Sequence, residues 1–332
     1  MLVFLSIPIV NVLTIVVLSQ GKCGLSKGVA RYLMAMAMAD LLVVVFDLVL
    51  RQIPIVFWKA FIFLMNIPVC NIHAVLRYTA NDCSVWFTVM FTFDRFVAIR
   101  YQNLKAKYCT ERTAAVVLWT VAALSCLKNI FWYFLLSGHY QFNNVPWFCH
   151  GRDGVLFSVA WTVVESCSFL LTPVIPFVVI LLLNALTIRH VVVASRSRRR
   201  LRNHSNGDSS KDPEMQSRRK SLILLLVVSA NFIVLWVLLV VHTVWIRSYF
   251  FRLSYLMYVS LPPSTMRELG YMLQLLSCCT NTALYALTQK KFREQMREVL
   301  KSPFSHLVRQ ANGKLSPPIK RSVVVRTMLQ SA

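Results

Sequence analysis

The sequence predicts an all-α membrane protein: a seven-transmembrane-helix bundle followed by a short amphipathic interfacial helix. Three observations carry this. Of the 332 residues 57% are hydrophobic and only 15% charged, whereas a soluble domain carries roughly 45–50% and about 25%. The apolar residues fall in seven blocks, at about 1–20, 29–50, 67–98, 112–137, 155–193, 221–246 and 267–288. Each is long enough against the roughly 20 residues that cross about 30 Å of hydrocarbon. Finally, the net charge of +23 is concentrated in alternate connections. The segments 21–31, 99–112 and 189–220 and the tail after 289 are rich in Lys and Arg, whereas 51–66, 138–154 and 247–266 are poor in them. That alternation is the positive-inside signature, not a nucleic-acid footprint, and it puts the N-terminus outside and the C-terminus in the cytosol. Helices are favoured because lipid offers the backbone no hydrogen-bond partner, and the period-2 pattern of a barrel strand is absent.

Block one opens at Met1 directly in apolar sequence, without the basic start or cleavage site of a signal peptide. Helix one is therefore expected to start at Met1, with an exterior N-terminal segment missing from this sequence. The block contains Asn11. Block two contains Asp40. Block three is the most polar, with Arg77, Asn81, Asp82, Ser84, Asp94 and Arg95. In it Arg77, Asn81, Ser84, Thr88, Phe91 and Arg95 share one helical face. At 1.5 Å per residue Arg77 and Arg95 lie roughly 27 Å apart, nearly the membrane's depth. The face reads either as a full-depth functional stripe or as a buried helix whose polar atoms find partners; its length favours the stripe. Block five holds Glu165 and block seven Asn281. Polar residues in hydrocarbon are expensive unless paired and mark function by default.

The longest connection, 195–219, is Ser- and Arg-rich and is expected to be a disordered third cytoplasmic loop. Its basic runs read equally as anchors to anionic lipid and as specific protein contacts. Arg218-Arg219-Lys220-Ser221 reads either as a basophilic kinase site or as such an anchor. Asn203-His204-Ser205 fits the glycosylation pattern, but on the cytosolic side. Residues 290–301 place Phe292, Met296, Val299 and Leu300 on one side and Lys, Arg and Glu on the other, as in a helix lying in the interface. Residues 302–332 are expected to be disordered.

The motifs now align. Asp94-Arg95-Phe96, with Val97-Ala98-Ile99, resembles the DRY segment at the foot of helix three in rhodopsin-like (class A) G-protein-coupled receptors. Met38-Ala39-Asp40-Leu41-Leu42 resembles that family's helix-two motif, and Asn281-Thr282-Ala283-Leu284-Tyr285 its NPxxY. Asn11, Trp119, Pro176, Phe232 and Trp236 match its markers in helices one, four, five and six. Each motif is weak alone; together, in order, they cover residues 1–301. The segment from Glu268 to Lys301, with Cys109–Leu118, is similar to fish receptors described as probable G-protein coupled receptor 139-like, a group related to receptors for aromatic amino acids and for peptides.

The resemblance implies a receptor that passes the binding of an extracellular small molecule or peptide to a heterotrimeric G protein from a plasma-membrane bundle. It is not an enzyme and binds no nucleic acid. The resemblance makes Asp94, Arg95, Asn281 and Tyr285 the G-protein switch. It pairs Cys70, 25 residues before Arg95, with Cys149 in the second exterior loop. No other cofactor is implied, but Asp40, Ser84, Ser277 and Asn281 are expected to converge on a mid-membrane cavity that holds an allosteric sodium ion; the alternative is a protonated, hydrogen-bonded Asp40. The ligand pocket is expected from Arg77, Tyr78, Asn81, Glu165, Trp236, His242, Tyr271 and Gln274, with Trp161 and Trp245 as further aromatic walls. Arg77 suits a carboxylate, and Glu165 or Asp82 an ammonium. Alternatively Arg77 pairs internally with Asp82, Glu165 or Glu268. No His/Cys/carboxylate cluster has metal-ligand spacing.

The departures favour a second reading. Leu238 stands where helix six carries Pro, Thr282 where helix seven does, Asn184 where helix five often has Tyr, and Gln102 where Pro follows the DRY segment. Prolines kink helices, so a degenerate, non-signalling bundle is the alternative. An opsin is excluded by the lack of Lys in 271–286. A transporter or intramembrane enzyme would show inverted repeats or paired acids, and neither occurs.

Overall fold

The computed structural model describes the chain except Met1 and residues 54–58, 60–62, 65, 143–144, 153–157, 203–212, 251–262 and 302–332. Seven long helices follow the seven blocks. They are α1 (Leu2–Ser19), α2 (Lys27–Val43, continued as a π-helix by Val44–Gln52), α3 (Ile67–Arg100) and α4 (Glu111–Asn129). Then come α5 (Val159–Phe169, Leu170–Val174 and Ile175–Arg202), α6 (Pro213–Phe250) and α7 (Ser264–Thr288). A further helix, α8, spans 290–301. Among the described residues four stretches, Lys27–Arg51, Glu111–Phe134, Val159–Ala194 and Leu222–Ser248, are long and apolar enough on their own to cross a membrane. In α3 and α7 polar residues spaced along the inward face dilute the hydropathy.

Local chemistry sets the boundaries. Gly21 and Gly24 take φ +67°, which an L side chain rarely adopts, and turn the chain between α1 and α2. The hydroxyls of Ser26, Thr110 and Ser158 cap α2, α4 and α5 by accepting from the backbone N–H of Val29, Thr113 and Trp161. Pro68 lies in the first turn of α3, where no N–H is needed. α5 breaks at Thr172 (φ −153°, ψ 110°), beside Pro173 and ahead of Pro176. α6 runs unbroken for 38 residues through Leu238.

α3 is the hub: it contributes to every one of four packed clusters. Phe87 and Phe91 join Leu33, Leu225, Tyr285 and Phe292 near the Asp94 end, and Ala80 joins Val43, Val44 and Leu275. Val85 and Val89 meet Ile180, Phe232 and Trp236 at mid-depth, while Tyr78 packs on Trp132 and Trp161 at the other end. α4 is largely exposed, and Trp119, the expected helix-four marker, is 77% exposed.

One expectation changes, and one connection holds structure that the sequence did not show. The loop 195–219 is not disordered at its ends: α5 continues to Arg202 and α6 starts at Pro213. Arg and Leu are good helix formers, and Pro213-Glu214 suits a first turn. The connection after α4 holds an antiparallel hairpin, β1 (Leu136–Phe142) and β2 (Val145–Gly151), with Gly138 opposite Cys149. It packs on α3 and marks one end of the bundle.

Candidate functional site

Toward the hairpin end, α2, α3, α5, α6 and α7 surround a cavity of about 90 Å³. Six of the expected pocket residues line it: Arg77, Tyr78, Asn81, Trp236, Tyr271 and Gln274. Asn81 and Gln274 are hydrogen-bonded across α3 and α7. Two expected residues are not in the lining. On α6 the lining positions are Trp236, Leu239 and Thr243, and at 100° per residue His242 is rotated off that face. Glu165 is instead held by Arg247 at 2.9 Å. Trp161 stands behind the wall, edge-on to Trp132 with ring centroids 5.2 Å apart.

The charged partners also differ from those expected. Arg77 reaches none of Asp82, Glu165 or Glu268. Its Nη1 donates to Asp47 Oδ1 at 3.2 Å, and Arg51 Nη1 donates to the same oxygen at 2.9 Å. Asp82 is met by Lys128 Nζ at 2.7 Å and by Asn129 Nδ2 at 2.6 Å, and Glu268 pairs with its neighbour Arg267. Asp47 and Lys128 were missed in the sequence. The available signal was an acid seven residues after Asp40, two turns along the same face of an apolar block.

Below this cavity a second one of about 10 Å³ is lined by Asp40, Ser84, Ser277 and Asn281, with Asn231, Phe232 and Trp236. Asp40 accepts from Ser84 Oγ and, at 2.8 Å, from Asn281 Nδ2. The space matches about one water-sized sphere. Trp236 lines both cavities, stacks on Phe232 with centroids 5.1 Å apart, and donates from Nε1 to Ser277 Oγ at 3.1 Å. Thr282, in the expected proline's place, joins α7 to α1 through Thr14 Oγ1.

At the far end of α3 Arg95 Nε donates to Asp94 Oδ2 at 3.0 Å, and both residues are buried. Tyr285 is 1% exposed and packs edge-on to Phe292 of α8. At the hairpin end Cys70 is disulfide-bonded; the side chain of Cys149 lies outside the described ones.

The chain matches the family described as 7 transmembrane receptor (rhodopsin family) over residues 10–285. It belongs to that family. The match takes in the helices that build both cavities and the Asp94–Arg95 pair, so the protein is a multi-pass membrane receptor of the class that answers extracellular ligands through G proteins, not an enzyme. The receptor is also similar to galanin receptor 2a of Danio rerio, with 24% identity over 317 residues, covering 92% of this chain and 78% of that protein.

Proposed function

We propose that this receptor seats an extracellular ligand, an aromatic amino acid or a small peptide, in the 90 Å³ cavity and activates a heterotrimeric G protein from its Asp94–Arg95 end. The observation that carries this is Trp236, one side chain shared by the ligand cavity and the Asp40 cluster. A ligand shifts a two-state balance only by binding the two states differently. Contact with Trp236 supplies such a difference and passes it, through Ser277, to the polar cluster between α2, α3 and α7. Similarity to a receptor named for galanin supports an extracellular signalling ligand.

The positive-inside pattern supports the hairpin end outside and α8 in the cytosol of the plasma membrane. Cys70 then pairs with Cys149 and ties the hairpin over the cavity. The oxygens of Asp40, Ser84, Ser277 and Asn281 suit one small hard cation, and sodium would neutralise Asp40 there. A second reading, a bundle that does not signal, is favoured by the unbroken α6 with Leu238 at the proline position.

A cell-surface screen separates the two. Aromatic amino acids and short peptides are tested against every G-protein class in cells expressing the full chain. The receptor reading expects at least one response that is lost in Trp236→Ala. Silence across all classes, with the protein shown at the surface, supports the second reading.

A further inference from the structure

We propose that the cavity selects an anionic ligand, a carboxylate carried on an aromatic or aliphatic body, gripped by Arg77 with Arg51 beside Asp47. This rests on the receptor reading and names the ligand class for its site.

The charges around the cavity do not balance. Asp47 Oδ1 accepts from both Arg51 and Arg77, so one negative charge answers two positive ones. Among the described residues no second acid meets that pair; Asp153, in the segment after β2, lies outside them. The other charges cancel one to one: Asp82 with Lys128, and Glu165 with Arg247. Among the described residues one positive charge is left over in this pair, whose inner member, Arg77, is 19% exposed.

The donors are also in surplus. A guanidinium carries five N–H donors in a fixed fork, and among the described residues each arginine uses only Nη1, on Asp47. Arg77 lies over the Tyr78 ring at 4.3 Å and Arg51 near the Tyr271 ring at 5.8 Å. A guanidinium held beside a ring keeps its fork of donors, which a carboxylate matches bidentately. Arg77, in the cavity lining, is 19% exposed at its side chain, and Arg51, which stands outside the lining beside Asp47, 36%. Independently, Trp132, in the cavity wall and 6% exposed, has an indole N–H with no acceptor among the described residues. Tyr78, Trp132, Phe169, Trp236 and Leu239 supply the apolar surface for the ligand's body. No ammonium is required of the ligand, because both acids expected to meet one already hold a cation.

The test uses the full chain in lipid nanodiscs and measures binding of indole-3-propionate and 3-phenylpropionate, of their primary amides, and of tryptamine. The acids should bind about tenfold or more tighter than the amides, as loss of a buried charge partner implies, and tryptamine no better than the amides. Arg77→Gln should erase the acid preference. Asp47→Asn, which frees both arginines, should strengthen it, and that opposite sign separates recognition from a folding defect. Equal binding of acid and amide, preference for the amine, acid preference surviving Arg77→Gln, or no acid binding at millimolar concentration would each overturn the proposal. Nucleotide exchange on added G protein is read on the same nanodiscs. Acid preference without exchange would keep the ligand class and overturn the receptor reading instead.

Discussion

Lys128 sits on the largely exposed α4, yet its ammonium reaches inward to Asp82 at 2.7 Å. Asp82 is 4% exposed, so removing its cation leaves a buried charge without an ionic partner. Lys128→Met should lower stability by about 3–5 kcal/mol, and adding Asp82→Asn should recover most of it. Thermal unfolding of the purified receptor measures this, and an unchanged midpoint for the single variant would contradict it. The sequence marked Asp82 and Arg77 as ionisable groups inside the membrane, but their partners were not readable. Periodicity within one helix fixes which residues share its face; it does not fix how neighbouring helices are rotated. The partners Asp47 and Lys128 lie on other helices, and only packing brings them to α3.

At the scale of elements, the seven spans were legible because length and apolar runs alone decide them, and α3's stripe was legible because it repeats at helical spacing. His242 was misplaced by a single 100° step, and the hairpin was hidden in a segment read only as a connection. α6 and α7 approach closely at Gly270, where a Cβ would lie 3.2 Å from Leu239 Cα and 3.3 Å from its N. Both atoms are helix backbone and cannot swing aside. Gly270→Val should therefore cost about 1–3 kcal/mol through overpacking, read as a lower unfolding midpoint; a midpoint at or above wild type would show that the helices part freely. The hairpin's tie to α3 is testable by peptide mapping under non-reducing conditions. Cys70 should be recovered linked to Cys149, and reduction should cost about 2–5 kcal/mol. Recovery of Cys149 as a free thiol would refute that pairing.

Across the whole molecule, two cavities meeting at Trp236 and a buried Asp94–Arg95 pair make a path along α3 from the hairpin end to the opposite end. If sodium occupies the Asp40 cluster, it stabilises the folded bundle by mass action. The unfolding midpoint should rise with sodium chloride more than with choline chloride, and Asp40→Asn should remove the difference; an equal response in both proteins would leave Asp40 protonated and ion-free. The family was legible because its motifs are short and local, and Arg77 as a carboxylate partner was legible too, whereas its sharing of Asp47 with Arg51 shows only where the helices pack. In the proposed function this bundle drives nucleotide exchange through Arg95. Its most direct test is guanine-nucleotide exchange on each class of heterotrimeric G protein, with the full chain in nanodiscs. The wild type should accelerate exchange on at least one class, and Arg95→Ala, folded and still binding indole-3-propionate, should not; equal acceleration by the two proteins would contradict the account.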